Sequence, residues 1–314
     1  MKSRKDSKPD MKTLVVLVGP TGVGKTTLSI RLAKHLGSPI ISSDSRQLYK
    51  EMAVGTAIPC PAQLAEVPHR FIQNRSIFED YTAGKFEIDA LNLLSQLFET
   101  HSTLLMVGGS GLYIDAVCKG IDEIPATAPQ LRQELMARLQ TEGLPSLQAS
   151  LMELDPAICL QLDMSNPQRV LRALEVCITS GKRYSELKKN FAKQRDFKII
   201  TVGLNRDRAE LYERINNRVD EMMSSGLLEE ARKLYPHKEY NALKTVGYKE
   251  LFRFFDGDIT LQEAVELIKR NSRHYAKRQL TWFARNSDTI WFHPDDYDHL
   301  EIVLDSLIRA DCER

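Results

Sequence analysis

Thr13-Leu-Val-Val-Leu-Val-Gly-Pro-Thr-Gly-Val-Gly-Lys-Thr26 is the stretch on which the fold turns. Its first six residues form a β-rich apolar run without alternation, the pattern of a strand covered on both faces. The next eight, Gly19, Pro20, Thr21, Gly22, Val23, Gly24, Lys25 and Thr26, fit the spacing G-x-x-x-x-G-K-[ST]. Leu28, Leu32 and Leu36 then recur at helical spacing, and Gly37 supplies a left-handed stop. In such a strand–loop–helix unit the glycines let backbone N–H groups converge on phosphate oxygens. The helix N-terminus adds its dipole, Lys25 adds a charge, and Thr26 can ligate Mg²⁺. The loop leaves the remainder of the ligand open, because nucleotides and simpler diphosphates present the same oxygens.

Moving outward, Ser38–Ser43 reads as a second strand, Ile88–Phe98 as an amphipathic helix, and Thr103–Val107 as a strand entering Gly108-Gly109. Strands alternating with helices predict a parallel sheet flanked by helices, an α/β fold of the P-loop NTPase type. From residue 119 to 198 only helices are expected, with Gln130–Leu139 and Pro167–Ile178 the clearest, so this segment reads as an inserted all-helical domain. Residues 11–118 and 199–314 then make up the core. Phe197–Leu204 resumes the sheet, Asp207–Leu234 reads as one long helix and Leu261–Phe283 as another. Thr289–Phe292 is a late strand, and the tail from Asp295 to Arg314 is expected to be a solvated helix. Residues 1–10 read as a disordered leader.

The 314 residues suffice for two domains at roughly 100–200 residues each. With 42% hydrophobic and 27% charged residues, the composition excludes a disordered, collagen-like or disulfide-scaffold chain. Lys plus Arg number 43 and Asp plus Glu 42, so any affinity for nucleic acid must come from local clusters. No apolar run approaches the length of a membrane span, and no secretory signal is evident. Cys60, Cys118, Cys159, Cys177 and Cys312 are widely spaced without a Cys-x-x-Cys pair, which fits free thiols in a reducing cytoplasm. Neither metal-ligand histidine spacing nor a G-x-S-x-G elbow occurs.

Asp44, Ser45, Arg46 and Gln47 follow the second strand and so belong at the sheet edge that carries the phosphate loop. Asp44 there is a candidate general base, with a capping role as the competing reading. Ser110, in Val107-Gly-Gly-Ser-Gly-Leu-Tyr113, offers a hydroxyl at a glycine turn. Arg214 and Arg218 lie four apart on a helix, either as a solvated face or as cations placed over the phosphate loop. Arg169 and Arg172 form one basic cluster. Lys269, Arg270, Arg273, Lys277, Arg278 and Arg285, interleaved with Tyr275, Trp282 and Phe283, form a second that contains no acid. Cations for phosphates beside aromatic faces for unstacked bases are the footprint of an RNA site, with a solvated helix face over core aromatics as the competing reading.

Taken together and in order, the phosphate loop, Asp44-Ser-Arg-Gln47, Val54-Gly-Thr-Ala57, Val107–Tyr113, Gln168-Arg-Val-Leu-Arg172, Thr245-Val-Gly-Tyr-Lys249 and Lys277-Arg-Gln-Leu-Thr-Trp282 resemble the tRNA dimethylallyltransferase family over about residues 12–292. The resemblance implies transfer of a dimethylallyl group from dimethylallyl diphosphate to the exocyclic N6 amine of the adenosine 3′-adjacent to the anticodon. The tRNAs concerned read codons beginning with U, and diphosphate is released. By the same resemblance, the loop holds a prenyl diphosphate with Mg²⁺, Asp44 is the base, Ser110 and Arg218 join it in catalysis, and the insertion contacts the anticodon stem-loop. The residues that match the family's tRNA-contacting positions are Asp44, Ser45, Arg46, Gln47, Ser110, Arg132, Gln168, Arg169, Val170, Leu171 and Arg172. Thr245, Val246, Gly247, Tyr248, Lys249, Lys277, Arg278 and Gln279 complete that set. Ser110 stands where Thr is commoner, Arg70 where a second His often follows His69, and Ile58 where Lys commonly follows the Gly-Thr-Ala motif. The expected protein is a cytoplasmic monomer with no membrane partner. The rival readings are a P-loop small-molecule or nucleotide kinase, a non-catalytic RNA-binding ATPase, and a prenyltransferase for free adenine nucleotides.

Overall fold

The computed structural model describes residues 11–122, 124–125, 128–189 and 192–310; the expected leader, residues 1–10, and Cys312 lie outside them. The chain divides into two compact units, residues 1–118 with 195–314, and residues 119–194.

The first unit opens with β1 (Thr13–Val18), whose Leu14 to Val18 are all fully buried, and continues into α1 (Lys25–Leu36). Gly37 closes that helix at φ 61°, with its N–H donating to the carbonyls of Ala33 and Lys34. There follow β2 (Ile40–Ser42), α2 (Pro61–Glu66), β3 (His69–Arg70), α3 (Ala83–Leu97), β4 (Thr103–Gly108) and α4 (Gly111–Lys119). Helix α3 begins five residues before the expected Ile88, because Thr82 accepts a hydrogen bond from the Lys85 N–H and caps it.

The second unit carries α5 (Pro129–Thr141), α6 (Leu144–Leu154), α7 (Pro156–Cys159), α8 (Pro167–Ser180) and α9 (Tyr184–Leu187). Prolines occupy the first turns of the first four, where no N–H is needed. Its core gathers Leu135, Leu147, Leu151, Ile158, Val170, Leu171 and Leu174.

Back in the first unit, β5 (Lys198–Leu204) pairs with β1. The return falls at Arg195, four residues before the expected 199, and there the Arg195 guanidinium donates to the carbonyls of Val117 and Ala116 and pairs with buried Glu87. The single helix expected over Asp207–Leu234 is two, α10 (Arg208–Ser224) and α11 (Leu227–Leu234), broken at Gly226 with φ 98°. Then come α12 (Tyr248–Phe255), α13 (Leu261–Phe283), β6 (Ile290–Phe292) and α14 (Tyr297–Arg309). This last helix is not merely solvated: Tyr297, Leu300 and Leu304 enter the core beneath the sheet.

All six strands are parallel in the order β3-β2-β4-β1-β5-β6. From β1 the chain leaves toward β2 on one side and later toward β5 on the other, so a crevice opens at its carboxyl end. One core lies between the sheet and α1, α10 and α14; another joins the end of α10 to α11, α12 and the start of α13. Among the described residues no helix is long and apolar enough to cross a membrane.

Candidate active site

The phosphate loop occupies the crevice, and its shape depends on missing side chains. A Cβ on Gly19 would lie 2.8 Å from the Leu204 carbonyl oxygen, and one on Gly22, at φ +80°, 2.9 Å from the Ile215 side chain. The carbonyls are held from outside. Lys25 Nζ donates to those of Gly19 and Pro20 at 2.8 Å, Arg214 Nε to that of Gly22 and Arg206 Nε to that of Val23, both at 2.9 Å. Arg214 therefore braces the loop and is more than a solvated cation. The first N–H groups of α1, beside the loop, have no helical carbonyl of their own to bond.

Lys25 is partly exposed as a residue, but its ammonium is enclosed, and burial drives its pKa from 10.5 down to about 7, with Arg218 adding to the fall and Asp44 opposing it. Arg218, one turn beyond Arg214 on α10, is also pushed down by burial and attracted by Asp44. Its guanidinium has no hydrogen bond or ion pair to any described residue. Two desolvated cations thus lie near Asp44, and Arg218 is also drawn by Glu221 and repelled by Arg214. The Thr26 hydroxyl at the start of α1 is likewise without a hydrogen bond among the described residues.

Asp44 lies just past β2. Its Oδ1 accepts from the N–H groups of Arg46 at 2.8 Å and Gln47 at 3.3 Å, an Asx turn that fixes the carboxylate while its other oxygen has no partner among the described residues. Ser110 is buried, accepts from the Ser45 N–H at 2.9 Å and donates to Ser45 Oγ at 3.0 Å. Tyr275 of α13 lies beside Ser110, and burial pushes its hydroxyl up to about 12. Tyr113 is pushed up to about 12 in the same way, with Asp44 and Arg46 near it. Both tyrosines belong to the site and were missed as site residues, since an aromatic inside a helix gives no sign of where its hydroxyl ends.

Two residues of the Asp44–Gln47 turn act on neighbouring backbone. Arg46 Nη1 donates to the carbonyls of Asn241 and Ala242 at 3.2 and 3.1 Å; Gln47 Nε2 donates to those of Thr56 and Ala57 at 3.2 and 3.1 Å. The loop that Gln47 holds is gripped again by Glu230 of α11. That carboxylate accepts from the N–H groups of Ala53, Val54 and Gly55 at 2.8–2.9 Å and from the Tyr248 hydroxyl at 2.6 Å. A Cβ on Gly55 would sit 2.5 Å from that hydroxyl. Glu230 lies in none of the motifs, and nothing in the sequence distinguishes it from its acidic neighbour Glu229.

Several expected RNA contacts need correction. Tyr248 and Gly247 are buried, and Tyr248 is spent on Glu230. Val170 and Leu171 are fully buried in the core of the helical unit. They face inward because an amphipathic helix must bury one stripe. Gln279 is 5% exposed and bonds only backbone. Arg132 is partly committed, pairing with the buried Glu175 and donating to Gln168 Oε1 at 3.0 Å. The acid-free stretch on α13 acquires acids from elsewhere: Lys269 pairs with Asp220 at 2.8 Å, and Arg285 lies 3.8 Å from Asp115. Phe283 is core, and Trp282 donates to Asp115 at 3.0 Å. Lys277 and Arg278 are exposed and in no ion pair with a described residue, with Arg278 over the Tyr275 ring. Lys249 is exposed, Thr245 and Val246 partly so. In the helical unit Gln168, Arg169, Arg172, Tyr184 and Lys188 line a hollow of about 320 Å³.

Residues 47–286 match the family described as IPP transferase. A tRNA dimethylallyltransferase 2 from Parabacteroides distasonis is 55% identical over 286 residues, covering 91% of this chain and 96% of that one. The full-length tRNA isopentenylpyrophosphate transferase from Bacillus halodurans superposes with a TM-score of 0.69 at 36% identity, over 96% of this chain and 97% of its own. A eukaryotic dimethylallyltransferase, captured acting on tRNA, superposes with a TM-score of 0.72 at 25% identity, over 90% of this chain and 74% of its own.

Proposed function

The chain belongs to the IPP transferase family, and from that membership we propose that it moves a dimethylallyl group from dimethylallyl diphosphate to the N6 amine of the adenosine 3′-adjacent to the anticodon, in tRNAs reading codons that begin with U. It is an enzyme, a prenyltransferase. The observation that carries the reading is a phosphate loop whose carbonyls are held by Lys25 and Arg214, with Asp44 fixed nearby in an Asx turn that leaves one carboxylate oxygen without a partner among the described residues. Such a site lacks an anion and has a base beside it.

In the reaction the N6 lone pair forms the new bond to C1 of the prenyl group as the C1–O bond breaks. The electron pair leaves with diphosphate, and the N6 proton passes to the partnerless oxygen of Asp44. Negative charge grows on the leaving group, where the loop N–H groups, Lys25 and Arg218 lie in wait without reorganising. Ser110, joined to Ser45, holds the turn that bears Asp44. The residues fit Mg²⁺ through the partnerless Thr26 hydroxyl. No cluster of three His, Cys, Asp or Glu side chains occurs among the described residues, and an ion that takes most of its oxygens from diphosphate and water needs none. When bound, that ion neutralises diphosphate charge. A stacked purine must leave its loop to react. Exposed Lys277, Arg278 and Lys249 on the first unit, and Arg169, Arg172, Gln168 and Arg132 on the second, are the groups offered to the tRNA.

Incubation of the protein with an anticodon stem-loop and either labelled dimethylallyl diphosphate or γ-labelled ATP tests this. Label should enter RNA from the first and from the second nothing should be consumed. Turnover of ATP with no alkylated nucleoside overturns the reading in favour of a kinase or ATPase.

A further inference from the structure

Gln279 stands between the two RNA-facing cations of α13 and the centre of the molecule. Its Oε1 accepts from the Thr21 N–H of the phosphate loop at 2.8 Å, and its Nε2 donates to the Gly109 carbonyl at 2.9 Å. With 5% exposure, the carboxamide has no water to fall back on. The fit allows no side chain opposite: a Cβ on Gly109 would lie 2.3 Å from Nε2. Gly109 is bonded directly to Ser110, and Thr21 adjoins Pro20, whose carbonyl takes the Lys25 ammonium. One side chain therefore ties the diphosphate cradle to the hydroxyl turn. It does so from the helix whose preceding residues, Lys277 and Arg278, are exposed and in no ion pair with a described residue.

We propose that Gln279 is a positioning residue for the diphosphate site and couples it to RNA bound along α13, without itself touching RNA. A displacement of α13 by bound RNA reaches Thr21 and Gly109 through two short bonds, and loading of the loop reaches α13 by the same route, as linkage requires. This rests on reading the loop as a diphosphate cradle.

The test compares Gln279→Met, which keeps the length and loses both bonds, with Gln279→Glu, which keeps the acceptor for Thr21 and sets an oxygen against the Gly109 carbonyl. Inorganic diphosphate and an anticodon stem-loop are titrated separately by calorimetry, then each in the presence of the other. For Gln279→Met, diphosphate affinity should fall about tenfold while stem-loop affinity stays unchanged. The mutual enhancement seen in the wild type, expected at about fivefold, should vanish. Gln279→Glu should retain more diphosphate affinity than Gln279→Met and lose the coupling. Weakened stem-loop binding with diphosphate affinity intact overturns the proposal, as does wild-type coupling in either variant. Should one variant not fold, the other decides by the same two titrations. Failure of the cradle reading shows separately, as wild-type protein that binds no diphosphate.

Discussion

Lys25 ties proton binding to ligand binding. With no diphosphate present its pKa lies at about 7, and an entering diphosphate favours the charged ammonium and must raise it. Binding above pH 7 should therefore take up a proton, approaching one per site at pH 8, and affinity should fall as pH rises from 7 toward the pKa of the complex. Calorimetry of an unreactive thio analogue of the prenyl diphosphate, in buffers of different ionisation enthalpy, measures this; Lys25→Met should show no uptake from this group. The sign for folding is the reverse of an ordinary ion pair. Between pH 7 and 10.5 the unfolded chain holds more protons at this lysine than the folded one, so its contribution to stability rises with pH. Asp44→Asn keeps the Asx turn and removes the base. Single-turnover alkylation should slow about 10²- to 10⁴-fold with stem-loop affinity kept, and near-normal alkylation would refute the assignment.

Between elements, the decisive contact is Glu230 of α11 with the Ala53–Gly55 backbone and Tyr248. A carboxylate can accept all four hydrogen bonds, whereas a carboxamide has one acceptor oxygen and sets its NH₂ against the remaining donors. Glu230→Gln should cost about 1–3 kcal/mol in denaturant unfolding, and Tyr248→Phe, which loses one donor, about 1 kcal/mol. Because Gln47 joins that loop to the turn bearing Asp44, Glu230→Gln should also lower kcat more than it raises KM. Helix α13 divides its faces between interior and RNA. Arg278→Ala should weaken stem-loop binding and reduce the slope of log affinity against log salt by about 1. An unchanged slope would exclude a phosphate contact at this position. The helix over Leu261–Phe283 is legible in the sequence, but which of the cations on it and just past it meet acids is not. Asp220 and Asp115 lie 49 and more residues away in the chain.

Across the whole molecule, charge is balanced, and what distinguishes the two units is that each owns a core. Leu171, fully buried in the helical unit, should cost about 2–5 kcal/mol when cut to Ala, and that unit should lose its hold on the stem-loop while inorganic diphosphate still binds the first. Loss of diphosphate binding in Leu171→Ala would show that the units do not fold independently. The sequence by itself determined the phosphate loop, the parallel sheet and the helical insertion, because glycine spacing, unbroken apolar runs and helical periods act over neighbouring residues. It also marked Asp44 and Ser110, which stand just past β2 and β4, and Arg218, which lies within α10 one turn beyond Arg214. Only the tertiary structure decided that Glu230 latches the Gly55 loop, and that Gln279 faces inward while Lys277 and Arg278 face out. Each depends on partners far away in the chain meeting within about 3 Å, and a hydrogen bond of that reach leaves no mark on local spacing.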